Sequence, residues 1–366
     1  MPNDCRRAIN SSEIIYKTQP PNLRFEFLND NTTFQWGELG ISRSYLKGKL
    51  NFGKKINVNL IELTLRGIEE TNYVPVSGRI KNRYSGSYKL TEKSIKFPIE
   101  SKEPLEYYDF KFPLNSNLSS SFLIADKEKN VNGQIFYIFS ATVNEQTSGF
   151  FNTQRELCEI YCPLSQVLPY FNTHYKSVKD RYIVSNEELF EYCFKIPEYL
   201  GLGTIISVPI QVTFLETRVK IVRIEISLKE VTRHTFENYD ESVRTEKRCC
   251  TFFEEPSKIS NNRLEQSLTL RVPEELNISY SGTYIQIKYK LGIKFTLVGG
   301  GINIGNGDFY KEQTVIVARF NSPNISDNSG SFDNLDNLDH SDHRSNDVVS
   351  EAGHPQEERS SQSEEN

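Results

Sequence analysis

The stretch Tyr284-Ile285-Gln286-Ile287-Lys288-Tyr289-Lys290-Leu291-Gly292-Ile293-Lys294-Phe295-Thr296-Leu297 decides the class of fold. Ile285, Ile287, Tyr289, Leu291, Ile293, Phe295 and Leu297 fall on one face, and Gln286, Lys288, Lys290, Gly292, Lys294 and Thr296 on the other. That period of two marks a strand with one buried and one solvated face. The run is longer than an ordinary strand, so a bend or bulge is expected near Gly292.

The same alternation recurs upstream. Val222, Ile224, Ile226 and Leu228 alternate with Arg223, Glu225, Ser227 and Lys229, and Val208, Ile210, Val212 and Phe214 do so just before them. The two runs are expected to pair as a hairpin. Ile56, Val58 and Leu60 share one phase and Ile61, Leu63 and Leu65 the other, as when one extra residue enters a strand. A bulge or break is therefore expected at Leu60-Ile61. Residues 135–143 (IFYIFSATV) are apolar on both faces and read as a central strand. Helical signals are few, the best being a turn or two over Asn186 to Glu191. The glycine-rich residues 299–308 have neither the spacing nor the lysine of a phosphate loop, and read as a hairpin loop before a strand at 313–320. Many strands with almost no helix indicate β-sandwiches.

The chain has 366 residues and a net charge of -5, unevenly spread. Residues 321–366 hold eleven acids against two arginines, ten serines and seven asparagines, which leaves residues 1–320 at +4. The tail is too poor in aliphatic residues to offset its ordering entropy and is expected to be disordered. A mildly basic body argues against a duplex-binding protein, so nucleic acid is not an expected partner. With no apolar run after Arg6 and Arg7 and none long enough to span a bilayer, the chain reads as cytoplasmic, and its six cysteines as reduced thiols. Three of the five histidines lie in the tail, and His174 and His234 have no metal-type spacing. Cys158-x-x-x-Cys162 and Cys249-Cys250 lack a second ligand pair. No metal site, cofactor or catalytic constellation is read, and the chain is not expected to be an enzyme.

An internal repeat organises the strands. Ile61-Glu62-Leu63-Thr64-Leu65-Arg66 matches Ile224-Glu225-Ile226-Ser227-Leu228-Lys229 in character. Pro113 stands four before Asn117-Leu118-Ser119, as Pro273 does before Asn277-Ile278-Ser279, and each turn leads to an apolar strand. Two similar β-sandwiches in tandem follow, divided between Pro163 and Glu188. Gly48-Lys49-Leu50-Asn51-Phe52, Ile61 to Gly67 (IELTLRG) and Phe110 to Phe122 followed by Gly133 to Val143 resemble the arrestin N-terminal domain. Val208 to Val231 and Leu270 to Leu297 are similar to its C-terminal domain.

The resemblance, to the arrestin fold and within it to α-arrestin-like trafficking adaptors, implies an all-β chain of two immunoglobulin-like sandwiches. The expected division is an N-terminal extension over 1–19, an arrestin N-like domain over 20–165, an arrestin C-like domain over 178–320 and the acidic tail over 321–366. It further implies an adaptor that links cytoplasmic segments of membrane transporters or receptors to ubiquitin-ligase-dependent endocytosis or sorting, with recruitment to plasma membrane or endosomes. Members of that group recruit WW-domain HECT ligases through Leu/Pro-Pro-x-Tyr motifs. This sequence has none, the nearest being Ile196-Pro197-Glu198-Tyr199. Pro197 and Tyr199 are thus a degenerate WW ligand or a strand end with a packed tyrosine. Lys288, Lys290 and Lys294 form a stripe suited to anionic lipids or acidic segments, or a merely solvated face. Leu335, Leu338 and Asp339 are similar to a clathrin-binding box, with Asp336 where an apolar residue is usual. Two alternatives stay open: an arrestin-fold scaffold of a signalling or retromer-like complex with no ligase, and a secreted β-sandwich ligand-binding protein.

Overall fold

The structure is a computed structural model that describes residues 13–28, 31–75, 82–101, 103–146, 153–169, 174–257, 259–299 and 307–321. Those residues are strands and turns with no helix, arranged as four sheets. The described residues fall within one compact unit.

The first sandwich has a larger sheet in the order β1 (Ile15–Thr18), β10 (Thr153–Tyr161), β9 (Val131–Gln146), β5 (Val58–Tyr73) and β6 (Tyr84–Pro98), with β8 (Phe122–Asp126) also on β9. Facing it, β4 (Tyr45–Ile56) pairs with β2 (Arg24–Glu26), β3 (Gln35–Trp36) and β7 (Leu105–Pro113). The second sandwich opposes β11 (Tyr175–Val184), β12 (Glu187–Pro197), β14 (Ile205–Phe214) and β17 (Arg263–Arg271) to β13 (Tyr199–Gly201), β20 (Gly307–Ala318), β19 (Ile285–Val298), β15 (Lys220–Phe236) and β16 (Tyr239–Glu254), with β18 (Tyr280–Ser281) on β19. One continuous apolar core runs through both, with Phe25, Phe52, Phe139, Phe190, Phe194 and Phe295 fully buried. The strand Ile15–Thr18, placed by sequence in an N-terminal extension, is a paired edge strand of the first sheet.

The repeat is visible in register. Gly67 stands opposite Tyr137, and Glu230, 163 residues further on, stands opposite Tyr289. Each buried tyrosine donates its hydroxyl to a carbonyl of the Asn-x-Ser turn of its own sandwich: Tyr137 to Ser119 O at 2.9 Å, Tyr289 to Asn277 O at 2.6 Å. Burial raises both phenols. These bonds satisfy the hydroxyls inside the core and pin the turn to the central strand.

The expected central strand at 135–143 lies inside β9, between β10 and β5, and β9 is buried on both faces there because Phe136 and Ile138 form a second cluster with Ile15 and Tyr161. The bulge in β5 falls between Val58 and Leu60, one step before the place expected from the phase change.

Three expectations are corrected. Val208–Phe214 does not pair with the strand at Val222. It lies in β14 between β12 and β17, on the opposite sheet, so the two runs meet face to face through their apolar sides rather than edge to edge. Gly292 causes no bulge, since β19 pairs without interruption through it on both sides. A Cβ there would sit 2.7 Å from the Tyr310 hydroxyl, so the glycine makes room for a neighbouring ring. The irregularity is instead in β15, between Ile221 and Arg223. Asn186 to Glu191 is not a helical turn. Ser185 and Asn186 have φ of 51° and 70°, the two positive values of a type I′ turn joining β11 to β12.

Candidate functional site: the junction between the sandwiches

The inward face of β5 runs Ile61, Leu63, Leu65, Gly67, Glu69, Thr71, and turns polar as it leaves the first core. Glu69 is 0% exposed and meets the second sandwich. Its Oε1 accepts backbone N–H groups from Tyr284 at 2.7 Å and Ile285 at 2.6 Å. Its Oε2 accepts the Thr283 N–H at 3.1 Å and the Tyr280 hydroxyl at 3.2 Å. Three backbone donors and a phenol thus converge on one carboxyl group in a ready-made nest. The nest is the tight connection between β18 and β19, where Gly282 lets the chain pass: a Cβ on it would lie 2.5 Å from Glu69 Oε2. Burial and the neighbouring Glu69 raise the Tyr280 phenol, which keeps it a donor.

Around this grip the two halves interlock. Thr71 donates its hydroxyl to Thr235 O at 2.9 Å, and Glu237 N–H reaches Ser85 O at 3.1 Å. Glu237 Oε1 in turn accepts Ser87 N–H at 3.2 Å and the Tyr284 hydroxyl at 3.3 Å. Two glycines of the first half set the closeness: a Cβ on Gly86 would strike the Tyr284 ring at 2.8 Å, and one on Gly133 would strike Ile285 at 2.9 Å and His234 at 3.0 Å. At the hairpin ends Tyr73, Tyr84, Phe236 and Tyr239 pack ring on ring, with centroids 4.5 to 6.2 Å apart. Such aromatic pairs add to the area they bury.

His234 is 0% exposed in this junction, and neither ring nitrogen has a hydrogen-bond partner among the described residues. Burial pushes it down to about 4, against the pull of Asp126, so it sits there as a neutral ring.

The connection between the sandwiches is also tied to both. Leu39 bridges Gln166, Leu168 bridges Phe320, and Asn321 donates to Leu168 O at 3.1 Å and to Glu38 Oε2 at 2.8 Å. Beside it opens a cleft of about 420 Å³ whose walls include Ile14, Phe34, Phe122, Leu276, Asn277 and Arg319. Its walls mix apolar side chains with polar ones such as Thr32, Gln35, Ser120 and Arg319, which suits an inserted side chain that carries both characters.

The residues singled out in the sequence are not gathered at this junction. Ile196 and Pro197 are buried at the end of β12, and Tyr199 is paired in parallel with Ile316 of β20. Ile316 N–H bonds Glu198 O at 2.9 Å. This segment is part of two sheets, and a WW groove would have to strip it from them. In the lysine stripe, Lys290 pairs with Glu312 at 2.9 Å and Lys294 with Asp308 at 2.7 Å, while Lys288 is exposed. Lys229 joins Glu312 at 2.8 Å. Burial works against the charge of Glu312, but the hydrogen bonds from Lys229, Tyr310 and Lys290 prevail and hold it down at about 2. Leu335, Leu338 and Asp339 lie outside the described residues. His174 is exposed near the start of β11, and only its carbonyl is used, by Glu198 N–H. The five described cysteines are free thiols, and burial pushes Cys158 and Cys162 up to about 12.

Sequence reasoning did not find Glu69. Its signal was available: an acid on the inward phase of an otherwise apolar strand, Ile61-x-Leu63-x-Leu65-x-Gly67-x-Glu69.

Residues 194–316 match the family model for the arrestin (or S-antigen) C-terminal domain. The match runs from Phe194 in β12 to Ile316 in β20, and so covers most of the second sandwich. No curated protein matches the chain.

Proposed function

We propose, from the match of residues 194–316 to the arrestin C-terminal domain model, that the chain is an arrestin-like cytoplasmic adaptor, one that binds cytoplasmic segments of membrane transporters or receptors and connects them to ubiquitin-ligase-dependent endocytosis or sorting. The observation that carries the reading is the junction. Glu69, Thr71, Ser85 and Ser87 of one sandwich are hydrogen-bonded to the hairpins of the other, so the two present their sheets and loops as one rigid surface. Groups there bind backbone and hold geometry. That is the work of a protein whose product is an assembly, and preorganisation lowers the entropy lost when a partner docks. The cleft beside the connection would receive a side chain of the bound segment.

A second reading is favoured by Ile196–Tyr199. With that segment held in two sheets and no Leu/Pro-Pro-x-Tyr motif in the sequence, a direct WW contact has no exposed ligand. A ligase-free scaffold of a coat or signalling complex is then the runner-up.

Affinity purification of the full chain, and of a form ending at Pro323 that retains the compact unit, followed by mass spectrometry of what co-purifies, separates the two. Integral membrane proteins together with a HECT ligase support the adaptor. A soluble coat or signalling assembly with no ligase in either sample replaces it with the scaffold. If the ligase is lost only from the shortened form, its contact lies beyond Pro323.

A further inference from the structure

The outward face of the smaller sheet of the first sandwich carries lysines seated on aromatic rings. Lys47 Nζ lies 4.7 Å from the centre of the Trp36 ring, Lys49 Nζ 4.2 Å from that of Tyr107, and Lys111 Nζ 4.0 Å from that of Tyr45. The sheet produces this ladder by register. Trp36 stands opposite Tyr45, Lys47 opposite Lys111 and Asn51 opposite Tyr107, so each ammonium leans on the ring diagonal to it.

None of the three lysines forms an ion pair among the described residues. Lys47 and Lys111 are directly opposed like charges, an arrangement that costs a sheet stability rather than adding to it. Glu26 and Asp109 flank Lys49 in register, one on each neighbouring strand. Glu26 is engaged by the Asn51 amide at 3.0 Å, Lys47 and Lys111 have no acid opposite them, and exposed Arg24, Lys54 and Lys55 lie on or beside the same face, so it keeps an excess of positive charge. In the Lys288–Lys294 stripe, by contrast, Glu312 and Asp308 take up Lys290 and Lys294 and leave Lys288 exposed.

We propose that this face, Lys47, Lys49 and Lys111 over Trp36, Tyr45 and Tyr107, docks the chain on an anionic lipid bilayer. Charge complementarity names the partner's sign, and the shape names its kind. The lysines present separate point charges across a sheet face, which suits a flat field of headgroups. A carboxylate or phosphate on a peptide is better held by the planar fork of arginine. Tryptophan and tyrosine beside lysine are the side chains that settle at a membrane–water boundary, ring toward the acyl chains and polar end toward the headgroups. The proposal does not depend on the adaptor reading, because it needs no membrane protein.

Trp36 is the single tryptophan of the chain, so it reports on its own surroundings. The full chain is mixed with protein-free vesicles of two parts phosphatidylcholine to one part phosphatidylserine, and with phosphatidylcholine alone, and followed by co-sedimentation and Trp36 emission. The expected result is binding to the anionic vesicles only, weakened by salt, with a blue shift of Trp36. Each lysine near such a surface multiplies affinity roughly fivefold, so Lys47→Gln with Lys111→Gln is expected to weaken binding about 25-fold. Lys288→Gln on the other stripe leaves it unchanged. Circular dichroism and the melting temperature establish that the double variant is folded. Should it be misfolded, the blue shift and salt dependence of the unaltered chain still decide. Failure of the unaltered chain to prefer anionic vesicles overturns the proposal. So does binding that survives in the folded double variant, or that is lost in Lys288→Gln instead. A chain that ignores vesicles while Trp36 responds to an acidic phosphopeptide overturns it in favour of a protein partner.

Discussion

Replacing Glu69 tests whether the two sandwiches are held as one body. In Glu69→Gln the amide oxygen takes the place of Oε1 and keeps the short bonds from Tyr284 and Ile285, while the amide nitrogen faces the remaining two donors. The Tyr280 hydroxyl can turn and accept, but the Thr283 N–H then faces another donor in a site closed to water. A buried donor left without a partner costs about 1–3 kcal/mol, and bonds to a neutral oxygen are weaker than those to a carboxylate. The expected loss is about 3 kcal/mol. Unfolding entropy of roughly 2.1 cal/mol/K per residue gives about 0.7 kcal/mol/K for a compact unit of this size, so the melting temperature should fall by about 4–5 °C. Glu69→Ala strands all three N–H groups and should cost more. Calorimetry should then show two unfolding transitions for Glu69→Ala and one for the parent, as the sandwiches lose their coupling. Gly282→Ala, which drives a Cβ into the same carboxylate, should be far from additive with Glu69→Ala because both remove one interaction. If Glu69→Gln melts within about a degree of the parent, the carboxylate does not hold the halves together.

His234 binds a proton near pH 4 in the folded chain against 6.5 for an unperturbed imidazole, so the unfolded chain takes up the extra proton between those values. Stability should decline as pH falls from about 6.5 to 4, by about 3 kcal/mol in total. His234→Leu should flatten that part of a urea-denaturation series across pH. Tyr137→Phe removes the bond to Ser119 O and should cost about 1–2 kcal/mol by the same unfolding assay, leaving a carbonyl unsatisfied. Gly67→Ala places a Cβ 2.6 Å from the Tyr137 ring and should cost about 1–3 kcal/mol through overpacking. Cys158 and Cys162, buried and pushed up to about 12, should not react with a thiol reagent at neutral pH until the chain is denatured.

Much of the fold was legible because strand periodicity and burial are the same fact seen twice. Ile285 to Leu297 alternates in sequence and its apolar members are the buried ones. Which strands pair is a different matter. Val208–Phe214 and Val222–Leu228 have similar patterns and adjoin in sequence, yet the first completes one sheet and the second the facing one, since alternation states that a face is buried and not what buries it. Ser185 and Asn186 deceived for a local reason: the acids after them suggest a helix start, while two positive φ values make a hairpin. At the candidate sites, the sequence could show three lysines in a row of alternate positions but not the acids of β20 beside them. The ladder of Lys47, Lys49 and Lys111 needed β3, β4 and β7, drawn from separate parts of the chain, to be laid side by side.

The repeat and the junction explain each other. At the offset of 163 the inward faces of β5 and β15 keep Ile61, Leu63 and Leu65 in step with Ile224, Ile226 and Leu228, all buried. Beyond that they part: Gly67, Glu69 and Thr71 stand where the second sandwich has Glu230, Thr232 and His234. Glu230 instead serves its own sandwich, accepting the Tyr289 hydroxyl at 2.7 Å. Of these three positions, Gly67 still packs on Tyr137 of its own sandwich, while Glu69 and Thr71 lie past the apolar core and bond to the other half. Two copies of the first sandwich could not make this contact, because Glu69 accepts from the Thr283–Ile285 N–H groups and the Tyr280 hydroxyl, which belong to the second. The interface therefore fixes which half sits on which, and a chain built from either half alone would expose a carboxylate or three N–H groups that the intact chain keeps dry.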